Sequence, residues 1–460
     1  MSKIENKIIS TFKKHRTSSK FLCNAPFASI KISIDGRVSP CCYNRDMIDC
    51  YPNNSISQIW DGEIFSSYRR AIRRNELPSA CETCERAIKN GEYDSVKINQ
   101  YDYLKVSRLW KNKPRLIEMA LSNKCNLECI MCTGTLSSSI RTNREKRAPS
   151  KSIFGQEFRK ELIQFIPNLQ EMVFAGGEPF LNPLYYDIWE DIIRLNPQCY
   201  ISVITNGTIM NDKIKTLLEH GNFRINLSFD AMTKETYEAI RVNAKYEDTM
   251  ANMKYFGDTL ARQGKRLHIP ICPLKINRFE LPDLVNFCNG NQYSVNFVNV
   301  NWAPKVAMYS MSSIELNELK DLYLQHFFTE TDENSRKNIM EFKNLIQRLD
   351  RWIELAIRKE NFKEYFDLKT DMVEDLKKQI HEKLFETLSR KNLDKDSMNK
   401  QLKLLNNIQD RLMSELPEYY YSNHFFRKLL NLSPELYLTI ISESDLTNLK
   451  NISEELFFYL

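Results

Sequence analysis

The sequence predicts an α/β chain: a partial (β/α)6 TIM-like barrel, preceded by a small α+β domain and followed by a helical one. Three observations carry this. Six short apolar runs alternate with amphipathic stretches between residues 115 and 302. Ahead of them, an alternating run ends at Asp35-Gly36 with cysteines on both sides. After Pro304, neither proline nor glycine occurs until Pro417. The expected domains are 1–110, 111–310 and 311–460 of a chain of 460 residues, longer than one core usually serves.

In the N-terminal part, Ile30 to Ile34 alternates apolar and polar residues before Asp-Gly. That pattern predicts a hairpin, which draws Cys23 and Cys41 together. The barrel strands are expected at 116–121, 172–175, 200–204, 225–229, 267–271 and 295–300. Helices are expected at 156–165, 185–195, 212–220 and 246–263. Strand–helix alternation of this kind makes a parallel sheet. Right-handed crossovers then bring the C-terminal ends of the strands to one edge, where such folds hold their chemistry. The tail repeats apolar residues at helical spacing (Ile346, Leu349, Ile353, Ala356, Ile357), the mark of long amphipathic helices that cap the barrel or pack separately.

Composition excludes some classes. The net charge is 65 − 59 = +6, too small a bias to argue for nucleic acid. The basic stretches Lys13-Lys14-His15-Arg16 and Arg69 to Arg74 read as solvated surface. No run approaches the roughly 20 apolar residues of a membrane helix. The N-terminus is polar, and the apolar end Leu456 to Leu460 is short enough to be a tucked-in helix end. The expected compartment is therefore the cytoplasm, where twelve cysteines do not serve as disulfides.

Their clustering offers another use. Cys23, Cys41, Cys42, Cys50, Cys81 and Cys84 precede the barrel; Cys125, Cys129 and Cys132 follow its first strand; Cys199, Cys272 and Cys288 read as packed core thiols. The C-x3-C-x2-C loop of Cys125, Cys129 and Cys132 can wrap one corner of an iron–sulfur cube. Closed [4Fe–4S] sites take four thiolates, so the fourth iron stays open to a ligand. Zinc would ask for a fourth Cys or His, and the next histidine downstream is His220.

The loop resembles the signature of the radical S-adenosylmethionine superfamily, and matching pieces follow in order. Gly176-Gly177-Glu178-Pro179 ends the second strand, Thr205-Asn206-Gly207 the third and Ser228-Phe229-Asp230 the fourth, with Arg241 beyond. The resemblance implies a catalytic [4Fe–4S] cluster on Cys125, Cys129 and Cys132, with S-adenosyl-L-methionine on its open iron. It implies that Gly176, Gly177 and Glu178 receive the methionine amino group. Asn206, Ser228, Asp230 and Arg241 would serve the ribose or carboxylate, with Met131 beside adenine in place of the usual aromatic. The implied chemistry needs a cluster of low potential, in a range reaching about −700 mV. One electron breaks the sulfonium C–S bond, and the 5′-deoxyadenosyl radical then abstracts a substrate hydrogen. The protein supplies orientation and a dry cavity.

Upstream, two thiolate pairs, Cys23 with Cys41 and Cys81 with Cys84, suit zinc or an iron–sulfur cluster. Residues 23–84 resemble the auxiliary twitch domain, a short relative of SPASM. The matching residues are Cys23, Asp35-Gly36, Cys41-Cys42, Ile59-Trp60, Arg69 and Cys81-x-x-Cys84. Glycine spacing favours Cys41 over Cys42; Cys42 and Cys50 read as free thiols. The resemblance covers about residues 20–302, with the auxiliary domain ahead of the barrel rather than behind it. It implies a radical enzyme, an oxidoreductase, with an auxiliary 4Fe-4S cluster that moves an electron. The expected partners are an external one-electron reductant such as flavodoxin or ferredoxin and a peptide or protein side chain as substrate, with no membrane and no nucleic acid. The alternatives are oxidation of a carbohydrate or other small molecule, and a non-enzymatic cluster- or zinc-binding module.

Overall fold

The computed structural model describes residues 3–16, 21–44, 49–89, 96–104, 113–300 and 303–365, with isolated positions elsewhere. The tail beyond residue 365 and the expected helix at the C-terminus lie essentially outside the described residues.

The N-terminal segment contains α1 (Lys3–His15), α2 (Ala25–Ala28), β1 (Ser29–Ile32), β2 (Arg37–Ser39), β3 (Asp49–Cys50), α3 (Ile56–Asp61), α4 (Glu63–Arg73) and α5 (Glu82–Lys89). The hairpin forms as expected: Gly36 takes a φ of +85° in the turn, where a Cβ would meet the Tyr51 carbonyl at 2.1 Å. A capping box of Ser55 and Gln58 starts α3. Arg69 ties Trp60 to the start of the domain. Its guanidinium lies over the Trp60 ring at 4.2 Å, and its Nε donates to the Pro26 carbonyl at 2.8 Å. This pins α4 to the segment that carries Cys23.

The barrel follows: β4 (Leu116–Ala120), α6 (Gln156–Ile163), β5 (Glu171–Ala175), α7 (Pro183–Leu195), β6 (Tyr200–Thr205) and α8 (Asp212–His220). Then come β7 (Phe223–Leu227), α9 (Lys234–Ile240), α10 (Tyr246–Arg262), β8 (His268–Ile271), α11 (Leu281–Gly290) and β9 (Ser294–Phe297). All six expected strands and all four expected helices appear, although β7 and β9 end early, at Leu227 and Phe297. The sheet order is β3-β2-β1-β4-β5-β6-β7-β8-β9, and β1, β4, β5, β6, β7 and β8 run parallel.

One feature of the sheet was not legible in the sequence. The N-terminal hairpin is not a separate layer: β1 pairs in parallel with β4, Lys31 opposite Glu118. A Lys31–Glu118 ion pair of 2.5 Å crosses that seam. The strands alternate as half-buried strands do. Ile117, Met119, Met172, Phe174, Ile201, Val203, Ile225 and Leu227 are fully buried. Phe174 stacks edge-on against Tyr185 and Trp189 of α7, so this face carries the helices. The other face presents Lys31, Glu118, Val173, Ala175, Asn226 and His268, all half-buried.

Two compact units divide the chain. The first comprises Met1–Ile271, Asp283–Asn296 and Glu330–Asn338; the second comprises Cys272–Pro282, Phe297–Thr329 and Ile339–Leu460. In the second unit, α12 (Ser313–Gln325) opens with a capping box of Ser312 and Glu315. Its Tyr323 ring meets Phe342 of α13 (Glu333–Tyr365) at 4.9 Å, and Ser313 N donates to Glu360 at 2.8 Å. The long amphipathic helices expected here are present in the described part.

Candidate active site

The Cys125–Cys132 loop leaves the C-terminal end of β4, and three further strand ends hold it. At the end of β5, Gly177 N donates to the Ser122 carbonyl at 2.9 Å and Glu178 N to the Lys124 carbonyl at 2.8 Å. Gly176 has a φ of +117°, and a Cβ there would stand 2.5 Å from the Ser122 oxygen; at Gly177 it would stand 2.3 Å from that of Lys124. The paired glycines therefore admit the loop's own backbone, a role the sequence did not reveal. After β6, Asn206 donates to Asn126 Oδ1 at 3.0 Å, and Asn126 donates to Thr208 Oγ1 at 2.8 Å. After β7, Arg241 reaches Cys129 Sγ at 3.9 Å.

Glu178 is 2% exposed. Its carboxylate accepts from Asn206 N at 2.7 Å, Thr205 Oγ1 at 2.8 Å and Phe180 N at 3.0 Å. Burial raises its pKa to about 7 against the pull of those donors and of Arg241. Three of about four acceptor positions are thus used within the protein. Asp230 is fully buried, and Arg241 is 7% exposed. Arg241 Nε and Nη2 lie 2.8 and 2.6 Å from Asp230 Oδ2.

β7 stops at Leu227, so Ser228 and Asp230 lie just beyond the strand rather than on it. Ser228 is half-buried and continues the backbone pairing to the Thr205 carbonyl at 2.9 Å, whereas Asp230 turns inward. Met131 is half-buried on the loop.

Sequence reasoning missed the loop's other supports. The hydroxyl of Ser138 accepts from Cys125 N at 3.1 Å, Ser139 Oγ donates to the Cys125 carbonyl at 2.8 Å, and Ser137 Oγ donates to that of Leu127 at 2.7 Å. The run Ser137-Ser138-Ser139 just after the cysteines was the available signal. Tyr185 also went unread: its hydroxyl accepts from Leu121 N and donates to the Ala175 carbonyl, both at 2.9 Å, tying β4 to β5 below the loop.

The three loop thiols are half-buried neighbours. Burial, then Cys129 and Cys125, push the Cys132 thiol up to about 12. Burial also raises Cys125 and Cys129; Arg241 pulls Cys129 back. Thiols crowded this way gain when an iron center takes their protons' place. The donor set, three thiols with no fourth cysteine in the loop, fits a cluster with one open iron.

At the second site, burial first, then Cys41, Cys81 and Cys84 raise Cys23. Cys23, Cys41 and Leu116 pack in one apolar cluster with Tyr101. Cys23 thus packs with Cys41 in one apolar cluster and with Cys84 in another, and Cys81 acts on it electrostatically. Cys42 is exposed, with its Sγ 3.9 Å from Tyr101 Oη. Cys50 lies apart in β3 opposite Arg37. Cys199 and Cys288 are buried core thiols as expected; Cys272 is only half-buried, since it sits just past the end of β8. Among the described residues, no three Cys, His, Asp or Glu groups are gathered to hold a single metal ion. No helix among them is long and apolar enough to cross a membrane.

The two sites sit at opposite ends of one strand. Cys125 follows the C-terminal end of β4. Cys41 packs against the same apolar cluster as Leu116, at the N-terminal end of β4. Four steps along β4, from Leu116 to Ala120, separate those levels, about 13 Å at 3.3 Å per residue.

Residues 119–288 match the radical SAM superfamily, and residues 23–85 match an iron–sulfur cluster-binding domain, SPASM. A GTP 3',8-cyclase of Microcystis aeruginosa is 24% identical over 212 residues, 44% of this chain and 56% of that protein. One of Limosilactobacillus fermentum is 24% identical over 188 residues, 40% and 53%. The chain thus spans little more than half the length of these relatives. Among solved structures, Streptococcus suis SuiB bound to precursor peptide SuiA aligns at a TM-score of 0.36, 15% identity, over 57% of this chain and 58% of that one. The AdoMet-bound anSMEcpe structure aligns at 0.36 and 20%, over 46% and 60%.

Proposed function

We propose that this chain, a radical SAM protein with an iron–sulfur cluster-binding domain at its N-terminal side, cleaves S-adenosylmethionine reductively and oxidises a peptide or protein side chain. The observation that carries the reading is the convergence of three consecutive strand ends on one three-thiol loop. In this reading Cys125, Cys129 and Cys132 hold a [4Fe–4S] cluster, and Cys23, Cys41, Cys81 and Cys84 hold the auxiliary one. When bound, the first supplies one electron to the sulfonium of S-adenosylmethionine, releasing methionine and a 5′-deoxyadenosyl radical.

This chain's residues then have defined tasks. The carbonyls and remaining acceptor position at Gly176, Gly177 and Glu178 receive the methionine ammonium. Asn206, already fixed by Asn126 and Thr208, holds the edge of the site with Ser228. Arg241 and Asp230 present charge beside Cys129, and Met131 packs near adenine. A four-thiolate auxiliary site is closed to substrate, which supports an electron-transfer role and hence an oxidation. The half-buried face of the sheet between the two sites offers the substrate Lys31, Glu118, Asn226 and His268.

A second reading has its own support: the relatives named above are GTP 3',8-cyclases, which favours a small-molecule substrate. The test is anaerobic reconstitution with iron and sulfide, chemical reduction, and measurement of 5′-deoxyadenosine from S-adenosylmethionine. Its formation is expected from the native protein and not from Cys125→Ala. Absence of 5′-deoxyadenosine from fully reconstituted protein would refute the reading. Consumption of GTP in the same assay would move the substrate to the second reading.

A further inference from the structure

We propose that the buried Arg241–Asp230 pair sets the reduction potential of the cluster at Cys129, the two side chains acting in opposite directions. This rests on the cluster assignment above. Arg241 Nη1 stands 3.9 Å from Cys129 Sγ while the same guanidinium grips Asp230 Oδ2 through Nε and Nη2. The side chains are 8% and 0% exposed, so solvent screens neither charge well.

The placement is built into the backbone. Glu128 N donates to the Val242 carbonyl and Ile130 N to that of Ile240, both at 3.0 Å. These two rungs bracket Cys129 on one strand of chain and Arg241 on the other, so the pair face each other in register. The other two thiols have different company. Cys125 Sγ receives Leu127 N at 3.5 Å, and Cys132 Sγ points at the Thr133 carbonyl at 3.7 Å. Arg144, on the exposed segment after the loop, donates from Nη1 to the Cys129 carbonyl at 3.3 Å.

Charge and hydrogen bonds at the ligand sulfurs are among the factors that set cluster potentials. A cation with an N–H on a ligand sulfur favours the reduced cluster and raises its potential. A carboxylate bound to that cation opposes the effect. The neutral pair can therefore orient a donor on the sulfur while keeping the potential low, as reductive cleavage of a sulfonium requires. Arg241 and Asp230 are positioning residues in this role, since they act through Cys129.

The test is a redox titration of the full-length reconstituted protein without S-adenosylmethionine, followed by electron paramagnetic resonance. The reduced-cluster signal that changes when S-adenosylmethionine is added identifies the open site. Arg241→Gln leaves the carboxylate alone and is expected to lower the reduced-to-oxidised ratio at fixed potential by at least about threefold. Asp230→Asn leaves the cation alone and is expected to raise it by a similar factor. Threefold is roughly 28 mV on the one-electron slope of 59 mV per tenfold. The double variant should return near the native value. Arg241→Lys, which keeps the charge, guards against a folding failure and should stay close to native.

Shifts of the same sign in the two single variants, or none in protein of native iron content, would overturn the proposal while leaving the cluster assignment standing. A native protein that takes up no cluster responsive to S-adenosylmethionine overturns both.

Discussion

Glutamine at Glu178 separates two forces that the structure sets against each other. Burial disfavours the charged carboxylate, whereas Asn206 N, Phe180 N, the Thr205 hydroxyl and Arg241 favour it. Burial prevails and lifts the pKa from 4.5 to about 7. A carboxyl raised on folding contributes stability that is complete below pH 4.5 and is lost as the pH rises through about 7. At 1.36 kcal/mol per pH unit, that interval is worth about 3 kcal/mol. Glu178→Gln does not titrate. Urea unfolding of cluster-free protein at pH 4.5, 6 and 8 should therefore show the stability gap moving toward the variant by about 3 kcal/mol as pH rises. A constant gap, or one that moves toward the native protein, would mean that the three donors outweigh burial and Glu178 stays charged.

Two further outcomes follow from the geometry. Asn126→Ala removes the side chain that accepts from Asn206 and donates to Thr208, so urea unfolding should report a loss of about 1–2 kcal/mol; no measurable loss would mean the link to β6 does not hold the loop. Cys41→Ser should lower iron and sulfide content after reconstitution by the share of one cluster, whereas Cys42→Ser should leave it unchanged, because Cys41 packs with Cys23 while Cys42 is exposed beside Tyr101. The reverse pattern of iron content would assign the ligand to Cys42.

The candidate site was legible to the extent that its chemistry is local. Cys125, Cys129 and Cys132 lie within eight residues of one another, and a loop that short gathers its thiols whatever surrounds it. The periodicity of the barrel strands was equally readable, because half-buried strands write alternation into the sequence. The work done by Gly176 and Gly177 was not readable. Glycine reports that something comes close, and only the fold shows that the Ser122 and Lys124 carbonyls do. Nor was Asp230 readable as the partner of Arg241, since their pairing depends on where β7 ends and α9 begins.

For the three cysteines after β4, spacing alone pointed to an open cluster site, and the alternation of strand-like and helical runs determined the α/β barrel around it. The tertiary structure decided what surrounds the thiols: a guanidinium at Cys129, a buried carboxylate behind it, and paired glycines under the loop. It also decided that β1 joins β4, which sets the upstream thiols at the far end of the same strand. The physical reason is range. Spacing and periodicity act over a few residues, whereas the choice of neighbouring strand and the partner of a buried charge are settled by burial and pairing across 87 residues from Lys31 to Glu118.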